Sequence, residues 1–296
     1  MNSFNIQHLK LKINGTRPSH IALLFPLLIL ICCFGVLYYH VIARLVQDWL
    51  TDSNYSHGFF VPLIAAYIIW QRRTKLSALD VQPSNVGLIL LLIGLGMFIV
   101  GTIGAELFTI RFSIIITLCA LVVYLLGVEH GKLTAVPIGY LVFMIPLPAI
   151  IWNKLAFPLK LFVTRLAVLL ISLLNIPAFR EGNIIHLSNT TLQVVDACSG
   201  MRSLTSLLAL SAAFALISNL STPKKWILFL SAFPIAIILN IMRLSITAVL
   251  AQYYGPGIAQ GFLHKLSGIF VFLVAILCLY IFHNLLKRIP LSPERA

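Results

Sequence analysis

One cysteine, one arginine and one histidine carry the chemistry that can be read from this chain. Of five cysteines, Cys32, Cys33, Cys119 and Cys278 lie inside long apolar runs, where a thiol is usually a small inert hydrophobe. Cys198 alone has polar neighbours on both sides, within Thr191–Leu204, TLQVVDACSGMRSL. Alternation from Thr191 to Val194 predicts a half-exposed strand, and the apolar run from Ser203 predicts a membrane helix. The turn between them would hold the thiol at a helix N-terminus, where exposed N–H groups favour an anion and lower a thiol pKa. That is a nucleophile's position. The competing reading is a free cysteine at a loop–membrane boundary.

Arg243 lies in an apolar span, where an ionised arginine is expensive and faces an interior or a wet cavity. Asn240, three residues earlier, shares its face. A guanidinium there could hold a developing oxyanion or a substrate carboxylate; the alternative is an arginine snorkelling to the interface. His264 follows the Gly255-Pro256-Gly257 loop at the mouth of the last span. Imidazole is the usual group that takes a cysteine's proton and protonates a leaving amine. The chain has eight histidines, so a purely structural His264 is the other reading. Three more residues are supporting candidates with two readings each. His57 lines the same pocket or caps a helix, Arg202 lowers the thiol pKa or binds a lipid phosphate, and Asp196 orients a base or caps a helix. Nothing pairs with Cys198 at zinc-site spacing, so neither metal nor cofactor is expected.

The elements that must position these groups are membrane helices. Among 296 residues 60% are hydrophobic and 10% charged, with a mean hydropathy of +1.00. Apolar runs near span length recur from end to end, which excludes a soluble domain of any size. The spans read as Ile21–Ala43, His57–Trp70, Val86–Ile103, Phe108–Gly127, Leu133–Ile151, Ser203–Ser218, Trp226–Ala251 and Leu266–Leu286. The first resembles a signal peptide but lacks a small-residue cleavage site, so it is expected to stay. The formal charge of +13 sits mostly in short loops, where it reports topology and not nucleic acid.

One further stretch, Leu155–Leu174, is decided by charge. Lys10, Lys12, Arg17, Arg72, Arg73, Lys75 and Lys132 fall inside whatever it does. Lys224, Lys225, Lys287 and Arg288 join them only if the stretch does not cross. It contains Lys160 and Arg165 and is interrupted by Pro158, as suits an interfacial or re-entrant helix on the outer surface. The expected fold is therefore an all-α polytopic membrane protein with about eight transmembrane helices, an interfacial helix and a small extracytoplasmic β-hairpin before the cysteine motif. Ile184–Leu187 and Thr191–Val195 are its strands, with Ser188-Asn189 at the turn. The domain plan is a cytoplasmic tail over 1–20, a transmembrane domain over 21–286 and a cytoplasmic tail over 287–296. Cys198, Arg243, His264 and His57 then converge on the outer side. All eight acidic residues fall in loops, tails or span ends, which counts against a proton-coupled transporter.

Ala197-Cys198-Ser199-Gly200-Met201-Arg202-Ser203 resembles the cysteine motif of the exosortase/archaeosortase family of membrane-embedded sorting transpeptidases. Tyr55-Ser56-His57-Gly58-Phe59-Phe60-Val61-Pro62 is similar to that family's N-terminal signature. Ile145-Pro146-Leu147-Pro148, Glu181-Gly182-Asn183, Asn240-Ile241-Met242-Arg243 and the stretch from His264 to Gly268 complete the likeness, from about Tyr55 to Phe282. It implies an outward-facing Cys/Arg/His site, here Cys198, Arg243 and His264. It also implies a bacterial inner-membrane location with the site facing the periplasm. The implied substrates are exported proteins ending in a Pro-Glu-Pro motif, a transmembrane helix and a basic tail, often alongside exopolysaccharide production. The acceptor, amine or water, stays open. The rival class is a non-enzymatic multi-pass protein, a transporter or a polysaccharide-export assembly subunit.

Overall fold

Apolar helices account for most of the computed structural model, which describes residues 20–194, 201–255 and 262–289, with side chains over 28–194, 202–255 and 268–289. The helices are α1 (His20–Thr51), α2 (Phe60–Gln71), the short α3 (Arg73–Ser77), α4 (Asn85–Ile103) and α5 (Leu107–Leu126). They continue as α6 (Val128–Gly139), α7 (Ala149–Leu173), α8 (Met201–Ile217), α9 (Thr222–Tyr254) and α10 (Phe262–Arg288). Two 3₁₀ turns, Ser56–Phe59 and Tyr140–Met144, precede α2 and follow α6. The chain divides into two units, Met1–Ala43, whose described part is the start of α1, and Arg44–Ala296, which holds everything discussed below. Among the described residues six helices, α1, α4, α5, α7, α9 and α10, contain stretches long and apolar enough to cross a membrane, and α8 is a shorter apolar helix. The chain is a multi-pass membrane protein.

Close approach between helices follows from small residues. Gly87, Gly94 and Gly101 recur every seventh residue on α4, and a Cβ at any of them would overlap Tyr124, Thr117 or Ile110 of α5. The reversal between these helices is capped by Glu106, whose carboxylate accepts from the Phe108 and Thr109 N–H groups at 3.1 and 2.6 Å. Those are orphan donors of a helix start, so a cap there stabilises the turn by about 1 kcal/mol.

The expected span Leu133–Ile151 is not one helix. α6 gives way to 3₁₀ geometry at Tyr140, and Ile145-Pro146-Leu147-Pro148 leaves helical geometry altogether. The two prolines remove N–H donors and disfavour helix at the residues before them. α7 then starts afresh at Ala149.

The expected hairpin is present but has a third strand. β1 (Ala178–Glu181), β2 (Ile184–Leu187) and β3 (Thr191–Gln193) form an antiparallel sheet in the order β1-β2-β3. Its apolar face, with Ile185, Leu187 and Val194, shares a buried cluster with Val163, Ala167 and Ile171 of α7 and Leu244 and Ala248 of α9. Asn189 Nδ2 also donates to the carbonyl of Gln252 near the C-terminal end of α9 (3.3 Å).

These contacts constrain α7. Its N-terminal end follows Leu147, which is bonded to Tyr55, and its C-terminal end leads into the sheet pinned on Gln252. α8 and α9 pack together through a short loop, so the start of α8 and the end of α9 point the same way, although the 33-residue α9 runs further than the 17-residue α8. Arg202, at the start of α8, bonds Asn54, next to Tyr55. α7 is itself long and apolar enough to cross, so the charge count, which sets both of its ends outside, is what predicts their side. A cysteine placed at Lys154 or Asn175, with the native cysteines replaced, should be labelled by an impermeant maleimide from the same face. Labelling from opposite faces would make α7 a span.

Candidate active site

The cysteine-motif end is built from backbone and side-chain bonds between segments distant in sequence. His57, in the turn ahead of α2, has its Nε2 3.1 Å from the Phe143 carbonyl and its Nδ1 3.2 Å from Ser206 Oγ. A carbonyl only accepts, so Nε2 carries the proton and Nδ1 accepts from the serine hydroxyl. Burial pushes the imidazole pKa below its ordinary 6.5, against the opposing effect of the Phe143 and Asn54 carbonyls. His57 is therefore a neutral bridge between the α2 entry, the turn after α6, and α8. It does not cap α2.

The neighbouring residues repeat the pattern. Tyr55 Oη accepts from Leu147 N–H at 3.2 Å and its ring packs on Trp152, 5.5 Å between centroids. Burial pushes its hydroxyl up to about 12, so it stays a neutral phenol. Trp49 Nε1 donates to the Met144 carbonyl at 2.9 Å. The indole lies so close to Gly58 that any Cβ there would overlap it, which is why a glycine follows His57. Arg202 Nε donates to Asn54 Oδ1 at 3.3 Å, and Asn54 N–H donates to Asp52 Oδ1 at 2.8 Å. Arg111, 3% exposed within α5, pairs with Asp48 at 2.5 Å. Asp48, Asp52, Asn54, Tyr55, Leu147 and Trp152 line a cavity of about 280 Å³.

The Glu181-Gly182-Asn183 segment has an equally local reason. Glu181 pairs with Ile184, leaving Gly182-Asn183 as a two-residue turn, and Gly182 takes the positive φ (59°) that such a turn needs. Asn183 then holds Val194 twice, its carbonyl accepting from Val194 N–H (2.9 Å) and its Nδ2 donating to the Val194 carbonyl (3.0 Å). Val194 is the last described residue before the cysteine motif.

The sequence candidates distribute as follows. Cys198 and Asp196 lie outside the described residues. His264 belongs to the first turns of α10, and its side chain is likewise outside the described set. Arg243 is half-buried on α9, and its guanidinium reaches α10, with Nη2 at 3.8 Å from where a Cβ on Gly268 would stand. Gly268 is one helical turn after His264. Asn240 is 2% exposed, one turn before Arg243. His57 and Arg202 are joined through Asn54, Tyr55 and the start of α8. The sequence reading missed Asn54, Ser206, Trp49 and the Arg111–Asp48 pair. Only Arg111, a charge inside an apolar run, left a signal that could have been followed. Among the described residues no cluster of three potential metal ligands occurs.

The model of the transmembrane exosortase family matches residues 49–281. The chain belongs to the transmembrane exosortase family. That match runs from Trp49 at the base of the His57 turn into α10. No curated protein and no solved structure matches this exosortase-family chain.

The neutral state of His57 has a pH consequence. Because its folded pKa lies below the ordinary value of 6.5, the unfolded chain binds that proton first as pH falls. The contribution is complete above roughly pH 6.5 and is lost progressively below it. His57→Gln should flatten the fall in melting temperature of detergent-solubilised protein between about pH 7.5 and 5. An unchanged acid slope would mean that the imidazole is not held neutral.

Proposed function

We propose that this chain is a cysteine transpeptidase or protease that cleaves C-terminal sorting signals of exported proteins at the periplasmic face of a bacterial inner membrane. The observation that carries the reading is the bracketing of the cysteine motif. Four residues before Cys198, Val194 is buried in the cluster that contains Leu244, the residue after Arg243. Four residues after it, Arg202 is tied to Asn54 in the His57 network. Counted from the α8–α9 loop, Arg243 stands six residues further along its helix than Arg202 along its own, roughly 9 Å at 1.5 Å per residue. That modest offset, and the approach of the guanidinium to α10, the helix that carries His264, support an Arg243 within reach of the cysteine segment.

In this mechanism the substrate presents its Pro-Glu-Pro segment beside the bundle, held by its own transmembrane helix. Cys198 thiolate attacks the carbonyl carbon, and the oxyanion that forms faces Arg243. Collapse breaks the C–N bond as His264 gives its proton to the leaving amine, which departs with the helix and basic tail. A thioester remains. An acceptor amine or water, deprotonated by His264, then attacks the thioester and frees the thiolate. Asn240, buried one turn from Arg243, positions the guanidinium, while His57 and Arg202 position the segments on either side. Asp196 is left with the role of orienting His264. No cofactor or metal takes part.

Co-expression with a reporter ending in Pro-Glu-Pro, a transmembrane helix and a basic tail tests this. Cys198→Ser should leave the reporter unprocessed, and Arg243→Ala should slow processing by about 10²–10³-fold, the usual effect of removing an oxyanion donor. His264→Ala should abolish processing while the protein still inserts. Processing at the wild-type rate in Cys198→Ser would leave a non-enzymatic membrane protein, a transporter or an export-assembly subunit, as the reading.

A further inference from the structure

The end of the bundle opposite His57 carries a second recess. A cleft of about 470 Å³ opens among α2, α6, α8 and α9, with Val136, Tyr140, Phe143, Leu216 and Phe229 along its walls. Arg72, Lys225 and Thr222 line it as well, and none of its described lining residues is acidic. Arg72 terminates α2, while Thr222 and Lys225 belong to the first turn of α9, so both cations sit where chain segments leave the apolar layer. Arg72 spends one donor on the Leu133 carbonyl (2.6 Å), which leaves the rest of its five N–H groups for an anion. Trp226, 60% exposed at the same mouth, is the amphipathic ring typical of a membrane interface.

We infer that this cleft binds an anionic phospholipid, with the phosphate held by Arg72, Lys225 and the Thr222 hydroxyl and an acyl chain lying along the apolar walls. Charge complementarity selects the occupant. A basic mouth above an apolar floor between helices matches an anionic head group on a hydrocarbon tail. A polypeptide helix ending in a basic tail would bring like charge against Arg72 and Lys225. Room for a chain is also present, since a Cβ built on Gly139 meets nothing within 4 Å. From Leu133 to Phe143 the wall rises about 17 Å, six helical steps and four 3₁₀ steps, which accommodates most of an acyl chain.

The site connects to the other end through one residue. Phe143 lines the cleft with its ring, and its backbone carbonyl is the acceptor for His57 Nε2. Tyr140, also in the wall, donates its hydroxyl to the Ala209 carbonyl of α8 (3.1 Å). An acyl chain in the cleft therefore braces the 3₁₀ turn and the helix that His57 joins.

Full-length protein in dodecyl maltoside, titrated with 1-palmitoyl-2-oleoyl phosphatidylglycerol or the matching phosphatidylcholine and followed by native mass spectrometry, tests the inference without reference to peptide processing. Phosphatidylglycerol should bind at least ~10-fold more tightly than phosphatidylcholine, a difference of about 1.4 kcal/mol. Lys225→Gln should erase most of that preference, and Gly139→Leu, which fills the cleft and keeps both cations, should lower occupancy by either lipid. Equal affinity for the two lipids, or wild-type binding in both variants, would overturn it. Displacement of the bound lipid by millimolar inorganic phosphate would overturn it too, by reducing the site to a bare anion contact.

Discussion

The imidazole of His57 is the constraint on which the motif end of this bundle depends. Its two nitrogens are spent on the Phe143 carbonyl and on Ser206, partners 86 and 149 residues away in sequence. A buried polar group of this kind is costly if one partner is lost, because the remaining donor or acceptor is then desolvated without compensation. The arrangement works only with a neutral ring carrying its proton on Nε2. Everything around it serves that geometry: Gly58 lets the Trp49 indole close in behind the turn, Trp49 fixes the Met144 carbonyl, and Tyr55 fixes Leu147. The α2 entry, the turn after α6 and the start of α8 are thereby joined into one platform.

That platform matters because the cysteine segment is short and is anchored on both sides. Upstream, the two-residue turn at Gly182-Asn183 exists so that Asn183 can hold Val194 by backbone and side chain together. Downstream, Arg202 is held by Asn54. The anchors differ in kind, one a small sheet against α7 and α9, the other an amide against a guanidinium. Between them only a few residues are left to choose where the thiol goes. Precise placement of a nucleophile is worth several orders of magnitude in rate, so fixing both flanks is what such chemistry would demand.

Much of this was legible in the residues, and the reasons for the remainder are physical. Helices α4, α5, α8, α9 and α10 announce themselves because apolar composition over some twenty residues has few other outcomes. β2 and β3 show the alternation of a half-buried strand, whereas β1 has one partly buried residue and three exposed ones, so it is held by its ladder and leaves no apolar pattern. The span drawn through Leu133–Ile151 failed because hydropathy is blind to the donors that Pro146 and Pro148 remove. Charge counting set Leu155–Leu174 beside the outer face, whereas α7 as a helix is long and apolar enough to cross. The glycine seam of α4 was written in its seven-residue spacing, but what it packs against was not. Residues such as Asn54, Ser206 and Asp48 carry no signal of their own, since their importance is entirely in partners brought up by the fold.

If Cys198, Arg243 and His264 share one pocket, as proposed, the ionisation of the thiol reports it. In protein whose other four cysteines are replaced, the rate of Cys198 alkylation by iodoacetamide, followed from about pH 5 to 10, should show a thiolate already formed well below the ordinary cysteine value near 8.5. The inflection should move upward in both Arg243→Ala and His264→Ala. An inflection at the ordinary value, the same in all three proteins, would mean that neither the guanidinium nor the imidazole faces the sulfur.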